Sequence, residues 1–305
     1  MNLARRAFAL RDPLAWADFA GLVREGERLG YEAVFLPEIA GRDAFVALGA
    51  LAGETDRLRL ATGIAPMTSR RARTTAMAGA TVQERSDGRM ILGIGTGPPV
   101  PGALDGLRGY VALLRDLLGG GTVGDPEPLS LRYGDPVPIW ISALGPRSTR
   151  LAGEIADGVL LNWCTPERVA TAREEVRAGA EAAGRDPSLV TLAVYVRACL
   201  GGDSDLAMEA LRRATGEYAS YPAYARQFAT LGFVEETRAA AAAHHAGRPG
   251  DVPDALVRAV CVTDASAGER LAACRQAGAD LPVVYPVAAG PDVVASIRGT
   301  LRAIG

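Results

Sequence analysis

The sequence predicts an α/β protein: a (β/α)8 barrel of the TIM type with a helical insertion between strands seven and eight. Three observations carry this. Apolar, β-branched runs alternate along the chain with Ala/Leu/Arg/Glu stretches of helical period. Eight such units fit into 305 residues, a length at which eight parallel strands close. The longest excursion, a Tyr-rich helical region at 217–233, falls between the last two strands. Two doubly wound domains are the alternative, but no linker interrupts the pattern and no short repeat occurs. Residues 1–305 therefore read as one domain.

In chain order the predicted strands are Arg6–Leu10, Ala33–Pro37, Leu58–Ile64, Met90–Ile94, Pro138–Ala143, Gly158–Asn162, Leu189–Ala198 and Leu281–Pro286, each a short apolar run. The predicted helices between them are Pro13–Leu29, Asp43–Glu54, Ala72–Arg85, Leu104–Leu118, Pro146–Ile155 and Pro166–Gly184. Several more lie within Asp205–Ala246, and a last one spans Pro291–Ile304. Asp43 suits an N-cap, and Pro146 suits a first helical turn.

Composition narrows the function. The chain is 49% hydrophobic and 22% charged, with a formal net charge of -2, so no basic field exists to hold a nucleic-acid backbone. No apolar run approaches a membrane span and the start lacks a secretory core, so a cytoplasmic protein is expected. Cys164, Cys199, Cys261 and Cys274 are widely spaced without neighbouring histidine, which predicts free thiols and no metal site. All 33 basic residues are arginine, and this excludes Schiff-base chemistry and a Walker-type lysine. The two histidines, His244 and His245, end an alanine run and read as a solvated helix end rather than a catalytic pair. An enzyme so built takes its chemistry from a cofactor.

Candidate site residues cluster at strand tips. Gly93-Ile94-Gly95-Thr96-Gly97 follows a strand, but the third glycine of a dinucleotide fingerprint would fall at Pro98, so what remains is a backbone that a planar ring can approach. Ala143-Leu144-Gly145-Pro146-Arg147 leads from a strand into a helix and offers amides and a guanidinium to a phosphate; a plain turn with a surface arginine is the competing reading. Glu38 closes an apolar strand, where it could contact a cofactor ring, pass a proton, or pair with Arg42. Trp163, Tyr195 and Tyr285 would line the same mouth as substrate contacts, or serve as packing.

The segments Gly30–Glu38, Gly41–Phe45, Thr55–Ile64, Gly88–Gly97 and Ala143–Leu160 together resemble the bacterial luciferase-like superfamily, and within it the deazaflavin-dependent branch that includes methylenetetrahydromethanopterin reductase. The resemblance implies a barrel binding coenzyme F-420, or alternatively FMN, at the C-terminal strand ends. It further implies a bulge with a non-prolyl cis peptide at Gly63-Ile64 backing the ring, and ring contacts from Glu38, Thr62, Gly63, Ile64, Ala65, Thr96 and Gly97. The phosphate falls to Ala143–Arg147, and the protein is expected to be a homodimer. Three departures stand out: Ile39 replaces a frequent histidine, Arg70-Arg71-Ala72 lacks the usual proline, and the loop after Gly97 is shortened to Pro98–Gly102. The expected activity is hydride transfer from reduced F-420 to a C=C or C=N bond of a small molecule of secondary metabolism, with Glu38 as the first candidate for proton donor and Tyr195, Tyr285 or solvent as the alternatives. An FMN-dependent monooxygenase and a barrel retained only for binding are the other two readings.

Overall fold

The computed structural model describes residues 5–11, 14–98, 100–122, 127–130, 136–263 and 266–304. Eight parallel strands close a barrel: β1 (Ala7–Ala9), β2 (Ala33–Pro37), β3 (Arg59–Pro66), β4 (Met90–Gly95), β5 (Ile139–Ala143), β6 (Gly158–Leu161), β7 (Thr191–Ala198) and β9 (Leu281–Pro286). Closure is made by β9 pairing with both β7 and β1. All eight predicted strands are present within a few residues of their expected bounds. A further strand, β8 (Cys261–Val262), was not foreseen; it pairs with the tip of β7 outside the ring.

Helices α1 (Trp16–Arg28), α2 (Ala44–Leu51), α3 (Ala72–Arg85), α4 (Ala103–Leu118), α5 (Pro146–Ile155) and α6 (Pro166–Ala182) follow the first six strands. Asp43 caps α2 as expected, accepting from the Phe45 and Val46 N–H groups. The insertion contains α7 (Ser204–Ala219), α8 (Pro222–Thr230), α9 (Val234–His245) and α10 (Asp254–Val260). The barrel's own seventh helix is α11 (Ala267–Gln276), and α12 (Val293–Ile304) closes the chain. Neither α10 nor α11 was predicted. The latter has too weak an apolar stripe to be read: Ala267, Leu271 and Cys274 are buried among charged neighbours.

Alternation along each strand divides the core in two. Outward side chains such as Leu60, Leu92, Ile141 and Val194 pack under the helices. Inward ones form a separate cluster in which small residues, Ala7, Ala33, Ala61 and Ala193, stand against Phe35, Trp140, Tyr195 and Tyr285. The barrel floor is thus filled. No helix among the described residues is long and apolar enough to cross a membrane. The four cysteines are free and buried.

Two contacts hold the outer ring. Helices α5 and α6 touch through Gly153 and Gly179, where an added Cβ would fall inside contact distance of the backbone of Val176 and Arg150 respectively. Gly179→Ala is therefore expected to cost about 2 kcal/mol in a denaturant titration, because backbone cannot retreat as a side chain can. Glu25 of α1 receives hydrogen bonds from Arg298 (2.9 Å) and Arg302 (2.6 Å) of α12, joining the first helix to the last. Burial pushes its carboxyl upward, but the two guanidinium bonds outweigh that and leave it below the ordinary value. A depressed carboxylate contributes stability that is present above the unfolded-state value and lost as pH falls through the folded one. Glu25→Gln should therefore lower stability near neutrality and flatten its decline toward about pH 3, read from denaturation midpoints across pH.

Candidate active site

Parallel strands bring every strand tip to one end of the barrel, and there β3 is irregular. Leu36 pairs with Thr62 but Pro37 pairs with Ile64, so Gly63 is the extra residue of a bulge. The register toward β4 slips over the same stretch, between Ala61 and Ala65. The bulge is stitched by Thr62, whose hydroxyl donates to the Gly93 carbonyl (2.8 Å) and accepts from the Gly93 N–H (2.7 Å). Gly63 is required by close approach: a Cβ would stand 2.6 Å from the Tyr195 hydroxyl and 2.7 Å from the Pro37 nitrogen. Tyr195 donates to the Gly63 carbonyl at 3.2 Å, and Ile64 remains partly open against the inner cluster. Ala65 is buried, and Gly97, at φ +73°, lies against Thr68.

Glu38 follows β2, with its N–H donating to the Ile64 carbonyl at 3.2 Å. Its carboxylate is paired with Arg70, whose Nε and Nη2 reach the two oxygens at 2.7 and 3.0 Å. Pairing with Arg42 does not occur; Arg42 donates instead to the Leu14 carbonyl and lies over the Phe19 ring. Arg70 also bonds Asp43 and stacks over Phe45, while Tyr110 donates to its carbonyl. Burial raises Asp43, but backbone N–H donation and Arg70 hold it below the usual carboxylate value. Both Glu38 oxygens accept hydrogen bonds, so in this arrangement the group is an acceptor. The 32-residue separation of the pair hid it from the sequence.

On the opposite wall, Tyr195 meets the Tyr285 ring edge-on at 5.1 Å. Burial pushes Tyr285 up to about 12 and Tyr195 well above its ordinary value. One layer above Tyr195 on the same strand face, the Arg197 guanidinium stands over the rings of Trp163, Tyr285 and Tyr218. Trp163 belongs to the cluster under the insertion rather than to the barrel interior, and it takes a left-handed backbone, φ +55°. Gln227 of α8 donates to the carbonyls of Asn162 and Trp163 at 2.7 and 2.6 Å, tying the insertion to the tip of β6. Sequence reading missed Arg197, Asn162 and Gln227. A lone charge in the apolar run Thr191–Ala198 was the available signal for the first.

Ala143 is buried at the end of β5, and Gly145 opens the turn into α5; a Cβ there would meet nothing. The Gly145 carbonyl accepts from the Ser148 and Thr149 hydroxyls, and among the described residues no side chain caps the N-terminus of α5. Leu144 is engaged at both backbone atoms, by Ser148 and Arg168. Pro146 borders a groove of about 860 Å³ shared with α6 and the insertion, whereas Arg147 lies in a smaller one between α4 and α5 with Arg108 and Glu154. The loop is therefore split between two surfaces.

Residues 3–281 match the model of the luciferase-like monooxygenase family. The chain belongs to this family. Among luciferase-like proteins it is 34% identical over 219 residues to the 5,10-methylenetetrahydromethanopterin reductase of Methanolobus tindarius, covering 66% of this chain and 65% of that protein. It thus spans slightly less than two thirds of that relative's length. The solved structure of the coenzyme F-420-dependent tetrahydromethanopterin reductase from Methanopyrus kandleri superposes with a TM-score of 0.82 at 22% identity, over 98% of this chain and 97% of the other. An F-420-dependent secondary alcohol dehydrogenase in complex with an F-420–acetone adduct gives 0.80 at 20% identity, over 99% of both chains. These two likenesses establish the fold.

Proposed function

We propose that this luciferase-like barrel is a coenzyme F-420-dependent oxidoreductase that reduces a C=C or C=N bond of a small molecule. The observation that carries the reading is the β3 bulge, where Gly63 is packed against Tyr195 and Pro37 and Ile64 is left partly open. A flat ring fits such a wall. The choice of cofactor is supported by a 32% identical relative over 178 residues, a putative coenzyme F-420-dependent oxidoreductase of Mycobacterium tuberculosis.

The bulge residues Thr62–Ala65 would back the ring, with Thr96 and Gly97 beside it. The first turn of α5, opened by Gly145, would hold the phosphate through backbone N–H groups. Reduced F-420 supplies a hydride; the protein's part is to place it against the substrate and exclude water. Glu38, locked by Arg70, is assigned a positioning role rather than that of proton donor. Tyr195 and Tyr285, kept protonated by burial, remain able to donate. The test is anaerobic mixing with reduced F-420 and a panel of unsaturated acceptors, following return of the oxidised chromophore. Tenfold or greater preference for FMN in a binding titration would overturn the reading, and a rate lost in Glu38→Gln but retained in Arg70→Met would return the donor role to Glu38.

A homodimer is part of the proposal. Helix α2 reads Ala-Phe-Val-Ala-Leu-Gly-Ala-Leu with no charge, yet Val46 is 73% exposed, and Met77 of α3 is 52% exposed. A helix apolar all round is normally covered. Light scattering should give twice the chain mass, and Val46→Glu should shift it to one.

A further inference from the structure

We propose that Arg197 is the anchoring point for a carboxylate carried by the substrate. This rests on reading the barrel mouth as the active site. Arg197 is 3% exposed and faces the barrel interior in register with Tyr285. Among the described residues no carboxylate lies within ion-pair distance of it. Its guanidinium carbon stands 3.9 Å from the Trp163 ring, 4.5 Å from Tyr285 and 4.8 Å from Tyr218. Its single side-chain hydrogen bond is to the Asn162 Oδ1 at 2.5 Å, and Asn162 is held in turn by Nδ2 donation to the Tyr224 hydroxyl. Five N–H donors on a planar cation are built to grip a carboxylate in two parallel bonds, and a neutral amide answers only part of that capacity.

Other buried arginines find a carboxylate or a helix end, although Arg6 Nε and Arg168 Nη1 are still buried without an acceptor. Arg168 is paired with Glu175, and Arg6 donates to the Leu29 carbonyl at the C-terminal end of α1, where the helix dipole meets its charge. Arg197 has π faces and one amide. In the same cage the Trp163 indole N–H is buried without an acceptor, on a residue of left-handed backbone. An orphaned indole N–H beside a guanidinium answered by one amide oxygen, on a left-handed support, fits a site completed by an anion. Glu217 of the neighbouring α7 accepts from Tyr221 instead. Tyr195, one step down the strand, touches the Gly63 carbonyl of the bulge, so an acid held by Arg197 stands before the wall assigned to the ring. The substrate class is then an unsaturated or imino carboxylic acid.

The test uses benzoate and its neutral isostere benzamide on the whole protein, by thermal shift and calorimetry. Benzoate is expected to raise the melting temperature and benzamide not to. Arg197→Met should abolish the benzoate shift, and so should Asn162→Asp, which places a carboxylate where Asn162 Oδ1 now sits and keeps the bond to Tyr224. If Arg197→Met fails to fold, Asn162→Asp carries the test. Equal stabilisation by both probes, or a benzoate shift that survives Asn162→Asp, would overturn the proposal. So would a loss of F-420 affinity in both variants with no benzoate effect on the parent, since the anion would then belong to the cofactor. Benzoate binding through Arg197 in a protein that takes up no F-420 would leave the anion site standing and sink the proposed function alone.

Discussion

Gly93→Ala is expected to destabilise the protein by about 3 kcal/mol or more and to lower its melting temperature by about 5–10 °C. The inward Cβ would collide with the Thr62 carbonyl oxygen and press on the Thr62 hydroxyl at 3.4 Å. That hydroxyl already bridges the N–H and C=O of Gly93, so the strand pair cannot part without losing both bonds. The nearest atoms belong to the Thr62 backbone carbonyl, which has no rotamer by which to escape. Gly109→Ala, on the exposed face of α4 with open space around it, is the control and should gain about 0.5–1 kcal/mol. A Gly93→Ala protein as stable as its parent would mean that the bulge has slack.

Arg70→Met is expected to cost about 2–4 kcal/mol, because it strands a mostly buried carboxylate. The Glu38 side chain is 15% exposed, and without Arg70 its remaining hydrogen-bond partner among the described residues is the Ala44 N–H at 3.3 Å. Asp43 is 43% exposed and also loses its partner, but it keeps its capping bonds, so less of the cost falls there. In a double-mutant cycle, Glu38→Gln should recover most of the loss in the Arg70→Met background, since an amide is far less costly to bury unpaired than a charge. Additive losses in urea titrations would show that the pair does not act as a unit.

The strands were legible because a buried parallel strand is a continuous apolar run, and eight of them alternate with helices. The Asp43 cap was legible because capping is local. The partner of Glu38 was not: Arg42 is near in sequence, whereas Arg70 is brought in by the β3–α3 connection, and no spacing rule reports that. Trp163 was found as an aromatic residue at a strand end, but its left-handed backbone and its place beneath the insertion depend on α7 and α8 packing over the barrel. Arg197 could have been found by asking which face of β7 it shares, since alternation puts it with Ala193 and Tyr195. The two-residue β8 has no signature of its own; it exists because β7 offers an unpaired edge there.

That short strand has a consequence for how the chain is assembled. Arg197 and Ala198 lie beside Cys261 and Val262, and the Cys199 N–H donates to the Val262 carbonyl at 3.1 Å. The whole segment between them, α7 through α10, leaves the barrel and returns at one point, like a loop of thread drawn through a single stitch. Its length is then free of any span it must bridge, so a change of length there need not move α11 or β9. The barrel and the roof over Arg197 are thus mechanically separable, the one fixed by closure and the other tied to it at a single seam.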